Sequence, residues 1–411
     1  MILHYYNMAL TERRWVMLML YFAINLINGA TYCALDPVDK LAENYYGVNT
    51  DLISLFALSF SIMYIPLAPA ASWSLGISYH WSMIFAWVIT FLGCWIKYLA
   101  FENYTLALIG IFLVASMNSV VMAGCTPLAI RYFHEEELVL ATSIGSISNF
   151  IGMGISFVLD PYLDDIDAIN LFHAIFSTVF LAINFIFSHE DPAFAKAGGF
   201  KEGFIKALKN KMIMMIVFCS SSGLAVISTV IAILAVILEP DHVSEMEVGW
   251  IGFVMVMMGM VGGFIATYLS HKFNSLEKPL KIFLYGSILS VILWALIQEN
   301  FPNSMIGSAI HGTLVIGHVP LAISGAVIQD KTIEESITTN MIYFMANLLE
   351  AFYIYPIQYF YKETNAPGLW AITILMAISF IPLAIVYKSP IGVDKQQINT
   401  QDAPSKVLLE K

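Results

Sequence analysis

The chain has 411 residues, 59% of them hydrophobic and only 12% charged, with a net charge of −11 at pH 7 and a mean hydropathy of +0.75. Soluble domains are nearer half apolar and a quarter charged, and nucleic-acid binders are normally basic. An ordinary soluble enzyme, a disordered chain and a nucleic-acid-binding protein are therefore excluded, which leaves a polytopic membrane protein.

One bilayer-spanning helix needs about 20 apolar residues. Twelve such runs can be drawn, over 15–35, 52–73, 82–100, 105–130, 139–159, 168–187, 212–236, 248–270, 280–297, 304–328, 337–359 and 368–387. The first begins at Trp15 and is too long for a secretory signal core, so it is expected to stay as a helix. Cytoplasmic loops carry an excess of Lys and Arg. With the N-terminus in the cytoplasm, only Lys40, Lys97 and Lys362 fall on the outer side, and all other basic residues fall inside. An even number of spans follows, with both termini cytoplasmic and the plasma membrane as the expected location.

The longest inner connection is 188–211. Phe200, Phe204, Ile205 and Leu208 recur there at about helical spacing among Lys201, Lys206 and Lys209, which predicts an amphipathic helix lying on the inner leaflet. It divides the chain into an N-terminal six-helix bundle (1–187), the linker (188–211), a C-terminal six-helix bundle (212–387) and a cytoplasmic tail (388–411). A faint internal echo agrees. Glu137 precedes Asn149 by 12 residues at the start of the fifth run, and Glu335 precedes Asn347 by 12 at the eleventh. The expected fold is all-α, with 12 transmembrane helices in two pseudo-symmetric six-helix bundles. Cys33, Cys94, Cys125 and Cys219 lie in apolar runs without a CxxC pair, and are expected to pack as small hydrophobes.

Several stretches resemble one transporter family. They are AENYYGV (42–48), SIMYIPLAPAASW (61–73), GCWIKYLA (93–100), SNFIGMGISFVLDP (148–161), IGFVMVMMGMVGGFIATYL (251–269) and GHVPLAI (317–323). In order and spacing they resemble the feline leukaemia virus subgroup C receptor-related (FLVCR) transporters, a branch of the major facilitator superfamily. The resemblance implies a choline-, ethanolamine- or haem-like substrate. The chain also departs from the superfamily pattern. Gly76 stands where members often carry the Asp of a gating motif in the 2–3 loop, and Ser270 stands at the related place in the 8–9 loop. Phe150 replaces an amide expected after Asn149.

Polar groups within spans are costly and call for a reason. Glu350 lies near the middle of its run, where it would serve as a coupling acid or as a counter-charge for a cation. The bland alternative is a carboxyl satisfied by hydroxyls. His311 and His318, seven residues apart, would share one face of a continuous helix. They are coupling candidates, or else hydrogen-bonded core histidines. By the resemblance, Tyr32 falls where the family has a ligand-binding Trp, and its ring could hold a quaternary ammonium by cation–π attraction. By the same resemblance, Asn118 and Asn347 fall where the family has glutamines. Asn25 and Asn28 would line the site or glue helices together. Ser221, in the Ser220–Ser222 run, would line the cavity or allow close packing.

Asp36, Asp39, Glu43, Asp51, Asp160, Asp164, Asp165, Asp167, Glu239, Asp241, Glu245 and Glu247 make the outer face acidic, a field that concentrates cations. No nucleotide-binding, metalloprotease or hydrolase motif occurs. The expected function is a secondary active or facilitative transporter of a small organic solute, working by alternating access. Its partners are the lipid bilayer and that solute, with no nucleic acid, cofactor or metal, and a monomer is expected to suffice. A non-transporting receptor or scaffold on the same fold is the main alternative. An intramembrane enzyme using Glu350 and His318 is a third reading.

Overall fold

The computed structural model describes residues 2–134, 137–188, 200–232, 234–238, 243–273, 275–297, 300–330 and 332–364. Among these, the long helices are α1 (Ile2–Tyr32), α2 (Leu55–Ile77), α3 (Tyr79–Leu99), α4 (Tyr104–Tyr132), α5 (Leu138–Leu163) and α6 (Ile166–Phe187) in the first half. The second half has α7 (Lys211–Ala232), α8 (Glu245–Phe273), α9 (Glu277–Ile297), α10 (Phe301–Ile328) and α11 (Glu335–Thr364). The twelfth span expected at 368–387 and the tail from 388 lie outside the described residues.

Helix starts follow local chemistry. The side chains of Ser78, Asn103, Asp165 and Asn300 each accept a backbone N–H from the first turn of α3, α4, α6 and α10, satisfying donors that the helix leaves free. A short helix, Asp39–Tyr46, lies between α1 and α2 and ends at Gly47, whose φ of 65° is left-handed. Glycine adopts that conformation without strain.

The fourth helix of each half is broken, α4 at Met117 and Gly124 and α10 at His318. Pro127 and Pro320 account for the breaks at Gly124 and His318. A proline ring clashes with the carbonyl four residues earlier, which here belongs to Ala123 and Ile316. His311, before the break, contacts Ser290 of α9, and His318, at the break, contacts Ser220 of α7.

Some helices touch backbone to backbone. A Cβ added at Gly29 would lie 1.9 Å from the Asn149 carbonyl oxygen, so α1 and α5 meet through a small residue, as closely packed membrane helices do. Asn25 adds polar ties, its Nδ2 donating to Gly145 O at 2.8 Å and Ser148 Oγ at 2.9 Å. All four cysteines are free and buried.

The two halves meet along two seams, α2 against α11 and α5 against α8. The linker helix (Phe200–Lys209) forms as its spacing predicts. Lys206 fastens it to the connection between α10 and α11 through Asp330, at 3.0 Å, and through Thr332. Helix ends rich in Lys and Arg are called the basic end below, and the opposite ends the acidic end.

Two charged residues expected at the acidic surface are not there. Lys97 is 1% exposed and Asp160 is 1% exposed. Lys97 sits in the last turn of α3, inside the first half, so the surface count of three outer basic residues overstated the total by one.

Candidate functional site

Glu350 projects from α11, about 22 Å along the helix from its start at the usual rise per residue, and is 4% exposed. Its carboxylate is held from the other half. Tyr32 Oη at the end of α1 donates to Oε1 at 2.7 Å, and Ser61 Oγ on α2 lies 3.2 Å from Oε2. The Ser61 hydroxyl also reaches Asn347 Oδ1 at 2.9 Å, so its one proton is shared between two acceptors. Asn347 sits one turn before Glu350, and its Nδ2 donates to Tyr343 O at 2.7 Å. The Tyr32 ring stands edge-on to Phe60, with centroids 5.4 Å apart. Tyr32, Glu350 and Asn347 thus come together across the two halves, joined by Ser61 and Phe60, which sequence reasoning did not single out.

The same seam continues toward the basic end. Tyr64 Oη donates to Asn340 Oδ1 at 2.6 Å, and Asn340 Nδ2 donates to Ser72 Oγ at 2.7 Å. Thr126 and Thr339 share a 2.5 Å hydrogen bond. Beyond them the Glu334 carboxylate lies over Gly76, where an added Cβ would be 2.5 Å from both of its oxygens. Ser336 Oγ donates to Glu334 Oε1 at 2.8 Å, and Arg131 donates to Leu75 O at 3.0 Å. Half-burial lifts the Glu334 carboxyl above its ordinary value, while the Ser336 hydroxyl and the Arg131 charge pull it back. Nearby, the Thr332 hydroxyl holds Asp330 below the usual carboxylate range, with Lys206 adding to it. The carboxylate missing at position 76 is therefore matched by one supplied from the other half.

The remaining candidates lie elsewhere. Asn28 Oδ1 accepts from Asn149 Nδ2 at 3.1 Å, which places it between α1 and α5. Ser221 Oγ reaches Val217 O at 2.5 Å and Ile342 O at 2.7 Å, tying α7 to α11. His311 Nδ1 is 3.0 Å from Ser290 Oγ, beside the Trp294 ring. His318 contacts Val315 O with Nδ1 and lies 3.2 Å from Ser220 O with Nε2. None of these contacts reaches Glu350. Asn118, 7% exposed, is on the middle piece of α4 that packs against α2 and α11.

A second polar group is buried in the first half. Lys97 Nζ donates to His173 Nδ1 at 3.0 Å. Asp160 Oδ2 accepts from Ser156, while Oδ1 has no hydrogen-bond partner among the described residues. Lys97 and Asp160 are close enough to interact electrostatically. Among the described residues, no group of three or more His, Cys, Asp or Glu is placed to hold a metal ion.

Residues 15–352 match the Major Facilitator Superfamily. The chain belongs to that superfamily. It is 22% identical over 351 residues to a choline/ethanolamine transporter of Danio rerio, covering 77% of this chain and 72% of the other. It is also 22% identical to a solute carrier family 49 member 4 homolog of Xenopus laevis, over 82% of this chain and 83% of that one. An uncharacterized MFS-type transporter of Caenorhabditis elegans is 21% identical over 75% of this chain, and the match spans 58% of that relative's length. Among solved structures, the transporter FucP in its outward conformation superposes with a TM-score of 0.70 at 13% identity, covering 92% of this chain and 100% of that one. The fold is thus that of the superfamily, and the resemblance to the FLVCR branch is borne out. Superfamily membership favours transport over the scaffold and enzyme readings.

Proposed function

We propose that this superfamily member transports a small organic cation of the choline or ethanolamine class by alternating access. The observation that carries the reading is the Tyr32–Glu350 hydrogen bond across the two halves, 2.7 Å long and buried. A buried carboxylate supplies the counter-charge that an ammonium needs, and the Tyr32 and Phe60 rings supply apolar and cation–π surface. Ser61 and Asn347 offer hydroxyl and amide groups for the polar end of such a solute. Asn28 and Ser221 instead hold helices together. A cation reaching Glu350 displaces the Tyr32 hydroxyl, which links binding to the parting of the halves. Glu350 is also the group for proton coupling, ahead of His311 and His318. The excess of Lys and Arg at one end supports an orientation with both termini in the cytoplasm and the acidic mouth facing outward in the plasma membrane. One copy contains the whole site, so a monomer suffices.

The test is uptake of radiolabelled choline and ethanolamine into proteoliposomes. The native protein is expected to take up at least one of them. Glu350→Gln is expected to remove uptake, and Tyr32→Ala to weaken half-saturation by about 2- to 30-fold, the range of one cation–π contact. No uptake by the native protein, or full uptake by Glu350→Gln, would overturn the proposal.

A further inference from the structure

The linker helix does more than cross from one half to the other. Between it and helices of both halves lies a cleft of about 200 Å3. Ala68 and Pro69 of α2 form one wall, Phe204 and Leu208 of the linker helix a second, and Met341 and Phe344 of α11 a third. Ser72 and Asn340 are the polar side chains at its edge, and they are bonded to each other at 2.7 Å. Such a lining has no carboxylate to pair with an ammonium ion and too few polar groups for an ordered water, which needs several polar partners. It suits a hydrocarbon chain.

Lysines neighbour the lining residues in the chain. Lys201 follows Phe200 and Lys209 follows Leu208 on the linker helix, Lys211 begins α7, and all three are exposed. Lys206 is not available, being engaged by Asp330 at 3.0 Å. The linker helix is amphipathic, and a helix of this kind lies in the interface with its basic side chains at headgroup level. An apolar slot walled by a helix that carries exposed lysines is complementary to one class of molecule.

We propose that an anionic phospholipid of the leaflet at the basic end is held here. One acyl chain lies in the cleft between α2, α11 and the linker helix, and the phosphate lies against Lys201, Lys209 and Lys211. The occupant touches both halves and sits beside the Ser72–Asn340 bond, so it braces that seam. Naming this leaflet as the cytoplasmic one rests on the orientation proposed above. The binding itself does not depend on it.

The test is native mass spectrometry of the full chain released from detergent, titrated with phosphatidylglycerol or phosphatidylcholine of the same acyl chains. It needs no transported substrate, so its failure is distinct from failure of the transport reading. Phosphatidylglycerol is expected to bind more tightly. Replacing the three lysines by Gln should remove that preference, by about fivefold per lysine. Ala68→Phe should weaken both lipids by filling the slot. Because Ala68 is buried, Leu208→Trp on the exposed side of the linker helix provides a second obstruction that leaves the core intact. Equal binding of the two lipids by the native protein would overturn the proposal. So would indifference to Leu208→Trp, or competition by glycerol phosphate alone at the same concentration as the lipid. An amphipathic peptide that binds the cleft in preference to lipid would overturn it too.

Discussion

Where α2 meets α11 the halves are joined by side chains, and where α5 meets α8 they are joined largely by carbon and bare backbone. The first seam runs from Glu350 and Ser61 through Tyr64, Asn340 and Ser72 to Glu334 over Gly76. In the second, a Cβ on Gly249 would be 2.3 Å from the Phe157 carbonyl oxygen, and Ile147 lies against Gly263. Ser143 and Thr267 share a hydrogen bond of 2.9 Å near its basic end. A hydrogen bond lost between protein groups is largely replaced by one to water, so its net contribution is only about 1 kcal/mol. Close van der Waals contact has no such replacement. The polar seam is therefore the one that can part and reform, and the bare seam suits a pivot.

The largest effect should come from breaking the pivot. Gly249→Leu cannot be seated without moving α8 off α5. Overfilling at such a contact should cost about 3 kcal/mol or more, read as a large drop in the detergent melting temperature together with lost uptake. Next is the polar seam. Asn340→Ala strands the Tyr64 hydroxyl, while Ser72 keeps its bond to Ser336 O, and should cost about 2 kcal/mol. Because that seam must open in each cycle, the variant should favour the state open at the basic end. Labelling of a cysteine placed at Thr339 should rise, whereas a pivot defect would lower uptake without that gain.

A finer test uses pH. With the gate shut, Glu334 is half-buried and its carboxyl is held above its ordinary value; with the gate open it returns to that value. The shut state therefore binds the proton more tightly. Closure is favoured on the acid side and weakens as pH rises from the ordinary carboxylate range through the raised value. Thr339Cys labelling should rise over that window, and Glu334→Gln should flatten the rise. Gly76→Asp, which sets a second carboxylate beside Glu334, should open the gate further. Smallest is Lys206→Ala. Its ion pair with Asp330 spans 3.0 Å but the lysine side chain is 49% exposed, and exposed pairs contribute about 0.2–1 kcal/mol. The melting temperature should barely move.

Much of this was readable from the sequence. Among the described residues, ten spans follow from length and hydropathy alone, and α5 and α11 begin at the echoed Glu137 and Glu335. Glu350 could be picked out because a carboxylate stands out in an apolar run, and Tyr32 and Asn347 because the family resemblance pointed to their positions. Ser61, Tyr64 and Asn340 could not. A hydroxyl or amide inside a span has no periodicity of its own, and its partner lies some 280 residues away in the chain. Lys97 and Asp160 were counted with the surface because charge near a helix end usually reaches water.

Lys97 leaves one further mark on this chain. An ammonium sealed inside a six-helix half, with His173 as its acceptor and Asp160 as its nearest counter-charge, ties three positions on three helices to a common fate. Descendants that exchange the lysine for a neutral residue inherit a stranded acid, and those that lose the acid inherit a stranded base. Positions 97, 160 and 173 should therefore drift together or not at all.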